Sequence, residues 1–278
     1  MKFSRYCRSL LSTPATAVSR YANCHRSGAD IAMVDLEDSV PPQRKEEARR
    51  LAAGFFADAA DGPARLAVRI NTVSEPDGLR DLLALRNYPV KPALVLIPKA
   101  ESARDVEIVE NALAPTCPDT DFFAVVETPR GLENASAIAA ASPRLRAVVF
   151  GSADYAFAVG ARLTWEALAY ARAAVVNSAR AAGIEVMDAP YFEALDAEGL
   201  RREAAAARDF GFSGKVAVHP RQVPVINEAF SPEPDALDRA RRVVAAGRES
   251  GNSAAMVDGV MVGAPFFEAS QQLIDEFG

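Results

Sequence analysis

Short apolar runs alternate with longer amphipathic stretches along most of this 278-residue chain. The apolar runs are too short for helices and are rich in Val, Ile, Leu and Phe, which is typical of buried strands in a parallel sheet. Gly, Pro or charged residues follow most of them. We therefore predict eight strands, at residues 5–11, 31–36, 66–70, 93–97, 122–126, 147–150, 184–187 and 215–218.

The stretches between these runs have the composition of crossover helices. The first predicted helix follows the first strand and ends near residue 27. The others cover 45–57, 77–85, 103–113, 132–141, 165–182 and 198–210. Eight strands, each followed by a helix or a loop, are the arrangement of a (β/α)8 TIM barrel, an α/β fold. We predict that residues 1–229 form this barrel and that it is the catalytic domain.

The remaining residues, 230–278, follow a Pro-rich break at 230–234. The pattern there predicts a helix at 236–250, a loop or hairpin at 251–262 and a last helix at 265–277. A segment of this size is too small to be an independent domain. We expect a C-terminal helical extension or lid that packs on the barrel or on a neighbouring subunit.

Polar residues cluster near the ends of the predicted strands. In a barrel the carboxyl ends of all strands meet at one mouth, which is where active sites of this fold lie. We therefore expect one polar site built from Arg8, Glu37, Asp38, Arg69, Lys99, Glu127, Asp154, Asp188 and His219.

Glu127 and Asp154 follow two neighbouring strands and are the candidate metal ligands. Two carboxylates from adjacent strands can share one hard cation, Mg²⁺ or Mn²⁺, which takes oxygen ligands and keeps positions for water or substrate. The alternative is that each acid is a helix N-cap or a turn residue. Gly151 and Ser152, in the turn before Asp154, are candidate substrate contacts.

The cationic candidates suit an acidic substrate. Arg69 is the main one, because arginine holds carboxylates bidentately, and Arg8 has the same potential. For both, the alternative is a structural ion pair, for Arg69 with Glu37 or Asp38. These two acids are also candidate catalytic groups, which contact metal-bound water or orient Arg69. Lys99 is a candidate for binding a phosphate or carboxylate, or for Schiff-base chemistry.

Composition excludes several classes of protein. The formal net charge is −6 and there is no stripe of Lys and Arg, which argues against nucleic acid as a partner. No apolar run reaches the ~18–20 residues of a membrane span, and the N-terminus lacks the apolar core of a signal peptide. We expect a cytoplasmic protein with no membrane partner.

Cysteine and histidine usage narrows the chemistry further. The three cysteines are scattered, which indicates neither a disulfide framework nor a zinc site, and two histidines are too few for a His-rich metal centre. His219 is more typical of a hydrogen-bonded structural group than of a base. Without a Walker loop or GxGxxG motif, neither nucleotide-driven phosphoryl transfer nor a Rossmann cofactor site is expected.

Several short motifs together resemble one known family. They are RSL at 8–10, DLEDSV at 35–40, RIN at 69–71, PK at 98–99, ETPRG at 127–131, FGSAD at 150–154, and GFSGK at 211–215 leading to HP at 219–220. In this order they cover nearly the whole chain and resemble the HpcH/HpaI aldolase and citrate lyase β-subunit (CitE-like) family.

The resemblance implies a (β/α)8 barrel that assembles as a homotrimer or homohexamer. It implies Mg²⁺ held by Glu127 and Asp154, and a substrate carboxylate held by Arg69. Members cleave or form carbon–carbon bonds in malyl-, citramalyl- or citryl-CoA, and some are thioesterases or synthases of the same compounds. We therefore expect a Mg²⁺-dependent lyase that releases an α-keto acid and an acyl thioester, with thioesterase or synthase activity as the alternative.

One position departs from the family pattern. Many members carry Asp-Gly-Lys-Met-Ile-Asp near the C-terminus, and the second Asp serves as an acid or base in a neighbouring subunit's site. Here the segment reads DGVMVG at 258–263, so Gly263 stands where that Asp would be. Glycine cannot transfer a proton, which leaves a non-catalytic thioester-binding barrel as a further alternative. Asp258 matches the first Asp and is expected to be structural.

Overall fold

Eight parallel strands close into a barrel in the computed structural model, which describes residues 7–57, 62–233, 235–251 and 253–277. Each strand pairs with its neighbours in chain order, and the last pairs with the first, so the predicted (β/α)8 fold is confirmed. The strands are β1 Ser9–Pro14, β2 Ile31–Asp35, β3 Arg65–Arg69, β4 Leu94–Ile97, β5 Asp121–Val126, β6 Leu145–Phe150, β7 Glu185–Asp188 and β8 Gly214–Ala217.

Helices surround the barrel between these strands. Those up to the end of the barrel are α1 Tyr21–His25, α2 Lys45–Ala57, α3 Pro76–Asn87, α4 Ala103–Leu113, α5 Pro129–Glu133, α6 Ala135–Ala139, α7 Ser152–Val159, α8 Trp165–Ala181, α9 Ala197–Phe210 and α10 Gln222–Phe230. The main apolar core lies between the strands and these helices, because the outward side chains of the strands meet the apolar helix faces.

The first strand lies further along the chain than predicted. It begins at Ser9 and continues through Pro14, which pairs with Asp35, whereas the prediction placed residues 5–11 in the strand. The predicted start at residues 5 and 6 lies outside the described residues. The prediction ended the strand before Ser12, but Leu11 and Thr13 are buried and residues 12–14 pair with β2.

Four predictions about the helices also need correction. The predicted helix at 132–141 is two short helices that begin at Pro129, because proline is well suited to a first helical position. The predicted turn at Gly151–Asp154 is mostly the first turn of α7. Helix α10 was missed, and the helix after β1 is only a 3₁₀ turn, Val18–Arg20, followed by the short α1.

The register of β2 and β3 positions the first part of the site. Asp35 and Arg69 are partners across the ladder, each at the carboxyl end of its strand. Side chains of a strand alternate between its two faces. Two such end residues on the inner face are therefore held side by side at the mouth by backbone pairing.

Residues from Ser231 onward form a second compact unit. It consists of α11 Ala236–Glu249, a hairpin of β9 Ala255–Val257 and β10 Val260–Val262, and α12 Ala264–Phe277. Asp258 and Gly259 form its turn with φ of +51° and +78°, the left-handed conformation that a two-residue hairpin turn requires. Asp258 also accepts a hydrogen bond from Arg242 at 2.8 Å. The role of this unit as a lid stays a prediction.

None of the described helices is long and apolar enough to cross a membrane. The three cysteines are free and buried. Burial raises the pKa of both Cys7 and Cys24 to about 12, so neither thiol is a nucleophile at neutral pH.

Candidate active site

A cavity of about 500 Å³ opens at the carboxyl ends of the barrel strands. Its charged lining comprises Arg20, Asp35, Asp38, Arg69, Glu127 and Asp154, and Gly151 and Ser152 complete the polar side. Four of these groups are acids and two are bases. This excess of negative charge favours a cation as one occupant.

Arg69 is fixed in the mouth by a buried carboxylate. Its Nε and Nη2 donate to the two oxygens of Asp35, both at 2.7 Å, and Asp35 is fully buried. Asp35 also accepts from the backbone N–H groups of Glu37 and Ser39, at 2.9 and 3.2 Å. Burial would raise the pKa of Asp35, but the charge and hydrogen bonds of Arg69 hold it below the usual value.

The free edge of Arg69 faces the next two acids. Its Nη1 lies 3.0 Å from Oε2 of Glu37 and 3.8 Å from Oδ2 of Asp38. Lys99 approaches the same pair, with Nζ 2.5 Å from Oε1 of Glu37 and 3.3 Å from Oδ1 of Asp38. Burial raises the pKa of Glu37 to about 7, despite the opposing effect of Arg69. This acid therefore exchanges protons near neutral pH.

Glu127 is a buried carboxylate at the end of β5. The peptide N–H of Lys99 donates to its Oε1 at 2.8 Å, and Lys99 has a left-handed φ of +48° there. On the other side the carboxylate lies against Gly151, where an added Cβ would be 2.4 Å from Oε2. Thr128, and not Glu127, caps α5 by accepting from Gly131 at 3.0 Å, so the N-cap alternative for Glu127 is wrong.

Asp154 lies in the first turn of α7 and lines the cavity. Burial, and then the charges of Glu37 and Asp154, raise the pKa of Glu127 to about 8. A bound divalent cation would offset the repulsion that the neighbouring carboxylates exert on ionised Glu127. Across the described chain no three His, Cys, Asp or Glu side chains are grouped closely enough to hold a metal ion. The pair therefore fits Mg²⁺, which takes few carboxylates and keeps several waters.

Three predicted members do not belong to the mouth. Arg8 precedes β1 at the opposite end of the barrel, where it pairs with Asp30 at 2.8 Å, so its predicted place in the substrate site is wrong. Asp188 is fully buried between Lys215 and Arg172, at 2.5 and 2.9 Å. His219 lies beside a second cavity, where its Nδ1 accepts from the N–H of Arg221.

Sequence reasoning missed Asp35 and the apolar part of the mouth. Asp35 could have been found from register, because the last residues of two adjacent strands, one acidic and one basic, form a pair. Apolar residues line the cavity from most strands, and on β7, β8 and β1, whose polar candidates point elsewhere, they reach the strand ends. Pro190, Val216, Val218 and Leu10 line the cavity there.

Comparison with known proteins gives concordant results. The family model of HpcH/HpaI aldolase/citrate lyase matches residues 8–220. The (3S)-malyl-CoA thioesterase of Cereibacter sphaeroides is 36% identical over 92% of this chain and 89% of its own. Citrate lyase subunit beta of Escherichia coli is 32% identical over 98% of this chain and 93% of its own.

A solved structure agrees over the same length. The crystal structure of CitE from Mycobacterium tuberculosis, in complex with magnesium, acetoacetate and coenzyme A, superposes with a TM-score of 0.79 at 33% identity, covering 98% of each chain. The chain therefore belongs to the HpcH/HpaI aldolase/citrate lyase family, a family of lyases.

Proposed function

We propose that this protein is a Mg²⁺-dependent carbon–carbon lyase that acts on β-hydroxyacyl thioesters of the malyl-, citramalyl- or citryl-CoA type. The products are an α-keto acid and an acyl-CoA. The observation that supports this most strongly is the convergence of Glu127, Asp154 and Arg69 on one cavity. An α-hydroxy acid has two polar groups, a hydroxyl and a carboxylate. The two acids can hold a cation for the hydroxyl oxygen, and the oriented guanidinium can bind the carboxylate.

In this proposal Arg69 binds the substrate carboxylate. Asp35 occupies its Nε and Nη2, which fixes the plane of the guanidinium and directs Nη1 toward the cavity side. Glu37 is the present neighbour of Nη1, so substrate binding loosens that contact. A guanidinium already held in place loses little side-chain entropy when it binds a carboxylate.

Glu127 and Asp154 would hold the metal ion, Mg²⁺ or the similar Mn²⁺. When bound, this ion supplies Lewis-acid stabilisation of the negative charge that develops on the substrate's oxygen atoms. Lys99 orients Glu127 through its backbone N–H, and Gly151 leaves room for the carboxylate.

Glu37 is the proposed proton acceptor. Its pKa of about 7 matches the operating range of a general base. It takes the proton of the substrate hydroxyl, the bond between the hydroxyl carbon and the carbon next to the thioester breaks, and a keto acid and a thioester enolate form. Returning one proton to the enolate carbon completes the acyl thioester. Asp38, half-exposed at the cavity wall, exchanges this proton with solvent.

A second cavity, of about 310 Å³, offers a path for the thioester's carrier. It adjoins the mouth and shares Ser12, Arg20 and Val218 with it. The hydroxyl of Thr13 lines it, is buried, and has no hydrogen-bond partner among the described residues. Arg20 is exposed and lines both cavities, and in this proposal it would bind a carrier phosphate. We propose that the carrier is coenzyme A.

The test is turnover of purified enzyme with Mg²⁺ and with EDTA, measuring keto acid and free CoA separately. Glu127→Gln and Asp154→Asn should each abolish keto acid release and weaken Mn²⁺ binding. Glu133→Gln, at an exposed acid of α5, is the matched control and should behave as wild type. Full activity of either site variant with metal still bound would overturn the metal assignment.

Thioester hydrolysis is the second candidate, favoured by the 36% identity to a malyl-CoA thioesterase over 92% of this chain. The same assay distinguishes it, since hydrolysis releases free CoA and leaves the carbon–carbon bond intact. Binding of metal and ester without either product would instead indicate the non-catalytic alternative raised by Gly263.

A further inference from the structure

We propose that the site selects substrates whose hydroxyl-bearing carbon carries hydrogen or a small alkyl group, as in malyl- or citramalyl-CoA, and rejects a second carboxylate, as in citryl-CoA. This inference rests on the proposed function and narrows its substrate. The keto acid half is then glyoxylate or pyruvate, and not oxaloacetate.

The strand-end groups of the mouth form a polar and an apolar arc, while Met33, Leu96, Val125, Val149 and Phe150 line the same cavity from β2, β4, β5 and β6. All candidate polar groups from the strand ends lie on β2 to β6, as Asp35, Asp38, Arg69, Glu127 and Asp154. The strands β7, β8 and β1 are neighbours around the barrel and form one continuous stretch of its wall.

This second stretch, the apolar arc, presents hydrocarbon to the cavity. The lining members from these strands and the residues that follow them are Leu10, Pro14, Pro190, Phe192, Val216 and Val218, together with Ser12. The polar residues of the same strands, Asp188 and His219, are turned away into an ion pair and a second cavity.

A substrate held by the polar arc turns its third substituent toward the apolar arc. Its carboxylate goes to Arg69 and its hydroxyl oxygen to the side of Glu127 and Asp154. A hydrogen or methyl substituent can pack against Val216 and Val218, because it carries no polar group that would lose its hydration there. A carboxymethyl group would have to place a charge against hydrocarbon, which costs several kcal/mol when no partner is available.

The cations of the mouth do not supply such a partner. Of the described residues that line the cavity, only Arg20 and Arg69 are basic. Arg69 already contacts Asp35 and Glu37, and its exposed edge is needed for the first carboxylate. Lys99 is held by Glu37 and Asp38. Arg20 is exposed on the 3₁₀ turn after β1 and also lines the second cavity, where we assign it to the carrier.

The test measures binding of free keto acids, so it does not depend on turnover. Pyruvate and freshly dissolved oxaloacetate are titrated calorimetrically at saturating Mg²⁺ and low temperature, with spontaneous decarboxylation followed in parallel. Pyruvate should bind at least about tenfold more tightly than oxaloacetate, the discrimination that one misplaced group gives in a shaped pocket. Equal or tighter binding of oxaloacetate would overturn the proposal.

Two variants and one control locate the selectivity. Val218→Arg adds a cation to the apolar arc at a half-exposed position and should shift the ratio of oxaloacetate to pyruvate affinity about tenfold toward oxaloacetate. Val90→Arg, at an exposed position that does not line the cavity, is the control and should leave the ratio unchanged. Arg20→Met should leave both keto acids unaffected and raise the KM of the CoA ester. A selective loss of oxaloacetate binding in Arg20→Met would assign Arg20 to a second carboxylate and contradict the proposal.

Turnover then separates this inference from the lyase proposal. Comparable metal-dependent cleavage of citryl-CoA and citramalyl-CoA would refute the selectivity and leave the lyase intact. Preference for pyruvate in binding, with no ester cleaved, would refute the lyase and leave the selectivity intact.

Discussion

Substituting Gly151 by alanine should displace the carboxylate of Glu127 from its ligating position. The added Cβ would lie 2.4 Å from both Oε2 and Cβ of Glu127 and 3.1 Å from its Cδ, about 1 Å inside ordinary van der Waals contact. Gly151 has a φ of −95°, which alanine adopts freely, so the variant introduces a steric clash without backbone strain. Glu127 directly follows β5, so its Cβ cannot withdraw without moving the end of that strand.

Two effects follow from this overlap. Overpacking of this kind lowers the free energy of unfolding by roughly 1–3 kcal/mol. Rotation of the carboxylate away from the cation should weaken Mn²⁺ binding by about 10–100-fold, the usual effect of disturbing a ligand's supports.

The assay is calorimetric titration of Mn²⁺, with thermal unfolding measured in parallel. Gly263→Ala is the control, because a Cβ at Gly263 meets nothing within 4 Å, and it should leave the Mn²⁺ affinity unchanged. Wild-type Mn²⁺ affinity in folded Gly151→Ala would refute the assignment of Glu127 as a ligand packed against this glycine.

Five further predictions have defined outcomes. Asp35→Asn should lower the free energy of unfolding by about 3 kcal/mol and raise KM, because it removes the carboxylate charge that holds Nε and Nη2 of Arg69 and leaves Glu37 as the nearest acid; an unchanged KM in kinetic assays would contradict this. Mn²⁺ affinity should rise up to about tenfold per pH unit between pH 6 and 8, because the ion displaces a proton from Glu127; a flat calorimetric profile would count against the assignment. Metal-free protein should lose stability over the same rise in pH. The pKa of Glu127 in the folded state lies above its ordinary 4.5, so the folded state holds a proton that the unfolded state releases. Urea unfolding at each pH checks the sign. Lys215→Met should cost about 3 kcal/mol of unfolding free energy with Mn²⁺ affinity unchanged, because it removes one of the two cations that pair with the buried carboxylate of Asp188; weakened Mn²⁺ binding would instead place Lys215 in the site. Gly263→Asp should change stability by only a few tenths of a kcal/mol, as an N-cap of α12, and should increase free CoA release; a large loss of stability would refute the open space around it.

The sequence was sufficient for the fold because its signals are local. Each apolar run has the length and composition of a buried strand, and eight strands alternating with helices permit few other arrangements. Boundaries were less predictable where tertiary pairing overrides a local turn signal. Ser12, Thr13 and Pro14 read as a turn in isolation, yet they pair with β2 along the barrel wall.

The site was predictable in part, for a related reason. Glu127, Asp154 and Arg69 are at strand ends, and the closed barrel brings strand ends together. Which way an end residue points depends on register and on side-chain partners that sequence spacing does not encode. The carboxylate of Asp188 pairs with Lys215 of the next strand and not with the cavity. No sequence pattern indicated that this lysine is buried.

The central claim is tested most directly by incubating the enzyme with citramalyl-CoA, with Mg²⁺ and with EDTA, and measuring pyruvate and free CoA separately. We expect pyruvate to appear with acetyl-CoA in Mg²⁺, and neither to appear in EDTA or with Glu127→Gln. Free CoA without pyruvate, or pyruvate release that persists in EDTA, would contradict a metal-dependent lyase built on Glu127 and Asp154.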